Sequence, residues 1–79
     1  MTRAQELRDL LQTAGWSNVK AGELLKVDRN TIYRYMNQAK ADDGEDMDGQ
    51  CLQPSPAVIE LARCKLWMEN YRKLMEKMP

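Results

Sequence analysis

Ala21-Gly22-Glu23-Leu24-Leu25-Lys26-Val27-Asp28-Arg29-Asn30-Thr31-Ile32-Tyr33-Arg34-Tyr35-Met36 is the stretch whose reading decides this chain. Ala21 and Gly22 are small and Leu24 and Leu25 large, which suits a short helix packed closely against a neighbour. Gly costs near 1 kcal/mol of helix propensity relative to Ala, so its place here predicts a close backbone approach that only a small residue permits. Lys26-Val27-Asp28 reads as a tight turn, with Val27 inward and Asp28 suited to cap the next helix. Beyond it Ile32, Tyr35 and Met36 lie three and four apart and form one apolar stripe. Arg29, Asn30, Tyr33, Arg34 and Asn37 are left on the other side.

Working outward, Leu7, Leu10, Leu11 and Ala14 predict a first helix over about residues 3–14, with Thr2 able to cap it and Gly15 to end it. Trp16 is expected to fill the core between the first two helices. Ser17 or Asn18 can start the second helix, which spans about residues 18–25, and the third spans about residues 29–40. Residues 41–53 hold Asp42, Asp43, Glu45, Asp46 and Asp48 with almost nothing to bury, and read as a flexible, solvated linker. Ser55-Pro56 restarts helix, Ser as cap and Pro in the first position, and the last helix runs to about residue 77. In it Leu61, Cys64, Met68, Tyr71, Met75 and Met78 alternate at spacings of three and four, a heptad seam that Trp67 and Leu74 widen. Val58, Ile59, Ala62 and Leu66 widen its first half enough to dock on the head. The second half, through Trp67, Met68, Tyr71, Leu74, Met75 and Met78, is expected to meet a second copy of the chain. The fold expected is all-α: a head over 1–40, an acidic linker over 41–55 and a packing and dimerisation helix over 56–79.

Composition narrows the function. A chain of 79 residues holds one small domain and a modest core, which makes pairing with a second copy a reasonable expectation. No apolar run approaches the length of a membrane span, and residues 1–6 show no signal-peptide stretch, so a cytoplasmic protein without a membrane partner is expected. There is no histidine, no Gly-rich phosphate loop and no metal-ligand spacing around Cys51 and Cys64, so neither enzyme, metal, cofactor nor small-molecule ligand is expected. Cys64 is expected to pack as a small apolar residue. The net charge is zero, but it is unevenly spread: residues 1–40 carry seven bases against four acids, and residues 41–56 carry five acids and no base. Local field, not the total, steers a polyanion.

The residues Ala21-Gly22-Glu23-Leu24-Leu25, Val27, Ile32 and Tyr33-Arg34-Tyr35-Met36 resemble the Cro/cI-type (XRE-like) helix-turn-helix transcriptional regulators of phages and mobile elements, most of all the small phage anti-CRISPR-associated repressors. The likeness covers about residues 4–39 and, more loosely, the Ser55-Pro56 helix. Lys26 departs from it, standing where the family usually has a Gly at positive φ. The resemblance implies a three-helix helix-turn-helix head in which Arg29, Asn30, Tyr33, Arg34 and Asn37 contact bases of double-stranded DNA. Their chemistry agrees, since Arg can fork onto guanine and Asn onto adenine. Ser17, Asn18 and Lys20 would hold the phosphate backbone. The function expected is a sequence-specific regulator, most simply a repressor, binding an inverted-repeat operator as a homodimer. A competing expectation is a protein-binding module on the same scaffold, such as an antitoxin, a packaging adaptor or a small inhibitor of the anti-CRISPR kind, acting through the acidic linker.

Overall fold

The computed structural model describes residues 1–77, and within them the chain is all-helical: α1 (Arg3–Ala14), α2 (Asn18–Leu25), α3 (Arg29–Asp42) and α4 (Pro56–Glu76). Met78, expected in the dimer seam, lies outside the described residues. Among the described residues no helix is long and apolar enough to cross a membrane.

The helix boundaries follow from local chemistry. Thr2 and Gln5 form a capping box: Thr2 Oγ1 accepts from the Gln5 N–H at 3.3 Å, and Gln5 Oε1 accepts from the Thr2 N–H at 2.9 Å. Gly15 ends α1 in the left-handed region (φ 72°), which lets the Trp16 N–H turn back onto the Leu11 carbonyl at 3.0 Å. Ser17 caps α2 by accepting from the Lys20 N–H at 3.1 Å, and Ser55 caps α4 by accepting from Val58 N–H at 3.4 Å, with Pro56 at its first position. Asp28 occupies the cap of α3 but makes no side-chain capping bond, so its contribution there is limited to charge at the helix start.

The turn between α2 and α3 is as tight as its composition requires. Lys26 adopts φ 59°, ψ 38°, the left-handed conformation in which a side chain is costly and Gly ordinary. Gly22 is buried beneath it. A Cβ on Gly22 would sit 2.8 Å from the Val27 carbonyl oxygen and 3.6 Å from the Arg29 nitrogen, both backbone atoms. The close approach thus comes from the turn folding back, not from the middle of a crossing helix. Gly22→Ala gains helix propensity of about 1 kcal/mol but forces the turn outward, and overpacking of this kind costs about 1–3 kcal/mol. Chemical denaturation is therefore expected to show a net loss; a gain in stability would mean the turn is free to move.

A single core joins all four helices. Leu7 and Leu11 of α1, Trp16, Ala21 and Leu25 of α2, Ile32 and Tyr35 of α3, and Ile59 and Ala62 of α4 pack together. Only the first half of α4 takes part. From Asn70 to Lys77 every residue is exposed, and the helix carries the molecule to 50 × 22 × 20 Å. Cys64, expected inside, is exposed, because the side of α4 bearing Ile59 and Ala62 is the one that docks.

The segment read as a flexible linker is anchored at both ends. α3 continues through Asp42, where a carboxylate faces the negative end of the helix and needs compensation. Asp42 finds it in hydrogen bonds from the Thr2 hydroxyl (2.5 Å), Gln38 (2.9 Å) and Gln53 (2.8 Å). Asp43 accepts from Gln5 at 2.8 Å and pairs with Arg8. At the far end Gln53 Oε1 accepts from the Ala4 N–H at 3.0 Å, the Pro54 carbonyl accepts from Arg3 Nε at 2.6 Å, and Pro54 is buried. The apolar Leu52 and Pro54, together with these amides, fasten the segment against α1 and α3.

These contacts set an acid dependence. The Thr2 hydroxyl holds the Asp42 carboxyl below the usual carboxylate range, and Arg8 does the same for Asp43. A folded-state pKa below the unfolded one gives stability that is fully present above the unfolded pKa and is lost as pH falls through the folded one. The Tm difference between the native chain and Asp43→Asn is thus expected to be constant over roughly pH 5–8 and to shrink below about pH 4. Added salt should shrink it too, because the pair is exposed. A difference unchanged in acid would show that the Asp43 charge does not hold the segment.

Candidate nucleic-acid interface

The α3 helix is amphipathic in the manner its stripe predicts over its first two turns. Ile32 and Tyr35 are buried and Met36 packs partly against the core, while Arg29, Asn30 and Tyr33 are exposed, Tyr33 by 60%. Positions 29, 30 and 33 lie one and four residues apart, so they share one side of the helix. Together they offer a guanidinium, a carboxamide and a phenol, all able to donate hydrogen bonds to acceptors in a groove. Lys26, exposed in the turn, adds a cation that was read from the sequence only for its backbone. With Arg29 it lines a shallow depression that also includes Val19, Glu23 and Asp28.

The row is shorter than expected. Asn37 is not on the outer side: it is 2% exposed, and its Nδ2 donates to the Gln50 carbonyl at 3.4 Å. The cause is the returning linker, which crosses α3 at this level. Leu52 N–H donates to the Arg34 carbonyl at 3.3 Å, and Gly49 passes so close that a Cβ on it would meet Asn37 Nδ2 at 3.5 Å. Asn37 is thereby a structural residue holding the segment to the helix, and its placement among base-contacting residues is corrected. Arg34 sits at the border of this cover. It is half-buried, with an Nε enclosed and lacking a hydrogen-bond partner.

The charges divide in a way the sequence did not reveal. Arg8 pairs with Asp43, Arg63 with Glu6 and Glu60, and Lys20 Nζ lies 3.8 Å from Glu69 Oε1. Among the described residues Arg29 and Arg34 form no ion pair. Arg29 and Arg34 of α3 are thus left unneutralised, as is Arg72 of α4, while Arg8 and Arg63 are paired within the fold. Ser17, Asn18 and Lys20 gather at the start of α2, where Ser17 and Lys20 are exposed and Asn18 half-buried. The Ser17 hydroxyl already accepts from the Lys20 N–H, and Lys20 leans toward Glu69. Of the three, Lys20 retains the longest free reach.

Glu69 was not among the residues singled out, yet it ties α4 to this end of the head. Its Oε2 accepts from the Trp16 indole N–H at 2.8 Å, and that bond, aided by Lys20, holds its carboxyl below the usual range. Trp16 is 6% exposed, and a buried indole N–H needs an acceptor, which is the one signal pointing to an acid on a neighbouring helix.

On α4 the expected contact residues lie together and uncovered: Trp67 (65% exposed), Met68, Tyr71, Leu74 and Met75. Compared with known proteins, the chain matches no family model, no curated protein and no solved structure.

Proposed function

We propose that this chain is a sequence-specific DNA-binding transcriptional regulator of the Cro/cI-like kind. In this reading α2 and α3 form the helix-turn-helix pair, α3 enters the major groove, and the distal half of α4 joins two copies on an inverted repeat. The observation that carries it is the row Arg29, Asn30 and Tyr33, bare and unpaired along the outer side of a helix whose inner side is sealed by Ile32 and Tyr35. A rigid helix with bidentate donors on its outer side is what base readout in the major groove requires. Arg34 and Lys26 flank the row, and Ser17, Asn18 and Lys20 at the start of α2 would hold the phosphate backbone. In this reading the bound dimer acts by covering a promoter, and its place is the cytoplasm.

The competing reading, docking of a basic partner by the acidic segment, keeps Glu45, Asp46 and Asp48 but loses Asp42 and Asp43, whose carboxylates are spent on contacts inside the chain. The test is binding to a selected duplex by fluorescence anisotropy at several salt concentrations. Arg29→Ala is expected to weaken it by about 1–3 kcal/mol and relax preference at one base pair, with helix content unchanged. Asn37→Ala should lower stability without altering base preference. Unchanged affinity in a folded Arg29→Ala chain would count against α3 as the reading helix.

A further inference from the structure

The uncovered side of α4 has an order that bears on what covers it. Cys64, Met68, Tyr71 and Met75 are all exposed and follow at spacings of four, three and four. Trp67 stacks on Tyr71 with ring centroids 5.3 Å apart and planes at 13°, so the strip is continuous along the helix. Ile59 and Ala62, the side docked on the head, point the other way. A ridge with heptad spacing is complementary to another such ridge, and α4 itself carries one. A second copy of the chain is therefore the occupant this strip fits.

The flanking rows decide how the two helices run. With Met68 and Met75 in the a positions and Cys64 and Tyr71 in the d positions, one flank carries Glu60, Trp67 and Leu74 and the other Lys65 and Arg72. In a parallel pair the two flanks face each other across the seam. Glu60 then meets Lys65 of the second copy, and the Trp67 indole meets Arg72 of the second copy as a cation over a ring. An antiparallel pair centred on Tyr71 sets the basic flank against itself, Arg72 beside Arg72. We propose that the exposed side of α4, from Cys64 to Met75, pairs with the same side of a second copy in parallel and in register. This rests on the dimer in the reading above and adds its orientation, which puts both heads at one end of the pair.

The chain has two cysteines, so Cys51→Ser leaves Cys64 alone to report the geometry. In the parallel pair the two Cys64 thiols face each other in one layer, and mild copper-catalysed air oxidation is expected to give a disulfide-linked dimer. In the antiparallel pair they stand about 21 Å apart along the axis, far beyond disulfide reach. Sedimentation equilibrium of the same protein, reduced and without DNA, supplies the oligomeric state. A dimer that oxidises to a linked pair supports the proposal. A dimer that does not become linked overturns the orientation and leaves the dimer standing; a monomer at all concentrations overturns both. Arg72→Gln gives an independent sign: it removes the cation over the Trp67 indole and should weaken a parallel dimer severalfold, and it removes Arg72 against Arg72 and should tighten an antiparallel one. Neither readout depends on DNA, so each can fail while DNA binding succeeds.

Discussion

Tyr71→Glu combined with Leu74→Glu is expected to convert the protein to a folded monomer whose operator affinity falls by about 10²–10⁴-fold. Both side chains are more than half exposed and touch nothing in the core, so the head should keep its stability. Four buried acids across a seam of two helices would oppose association through desolvation and mutual repulsion. In the proposed dimer the loss at the operator would arise because the second head no longer binds as part of one molecule but from free solution. Substitution is a cleaner probe here than truncation. A cut after Trp67 would also remove Glu69, the acceptor for the Trp16 indole and the neighbour of Lys20, and so disturb the head itself. Sedimentation and anisotropy titration together check the result. A doubly substituted chain that still dimerises would move the contact elsewhere.

Ile32→Ala should produce the largest loss of stability from a single substitution in α3, about 2–5 kcal/mol. Ile32 is fully buried at the point where α3 meets the core formed by Leu7, Leu25 and Ile59. Removing three carbons there costs both transfer energy and an unfilled cavity. Domains of this size command only about 5–15 kcal/mol in total, so urea unfolding should show a large fall in midpoint with little change in slope. The loss should also reach DNA binding, because the seating of Ile32 and Tyr35 aims Arg29, Asn30 and Tyr33 outward. A cost below about 1 kcal/mol would show that α3 is not packed as described.

Much of the helical frame could be read directly from residue types. Thr2 with Gln5, Gly15, Ser17 and Ser55-Pro56 each mark a helix end through local hydrogen bonding or fixed backbone preference, and such signals do not depend on the rest of the chain. The stripe of Ile32 and Tyr35 set the inner side of α3 by periodicity alone. The errors fell where two distant segments meet. Asn37 belongs by periodicity to the outer side of α3, but the returning residues 49–52 cover that level, and no local pattern in α3 announces it. The acidic run has the composition of a solvated linker, yet for Asp42 and Asp43 the residues Thr2, Gln5, Arg8 and Gln53 supply partners from 11 to 40 residues away. Cys64 shows the same limit. Its hydrophobic character favoured burial, while the choice of which side of α4 docks was made by Ile59 and Ala62. Short-range rules located the elements; the pairing of charged and amide side chains across the chain decided which surfaces stayed open.

Selection of bound duplexes from a random DNA pool decides whether α3 reads a DNA sequence. A palindromic sequence with half-sites about one helical turn apart should be enriched, and the Arg29→Ala pool should lose preference at one base pair of each half-site with the helices intact. A pool that stays random at low salt, with the native chain folded, would contradict a reading role for α3.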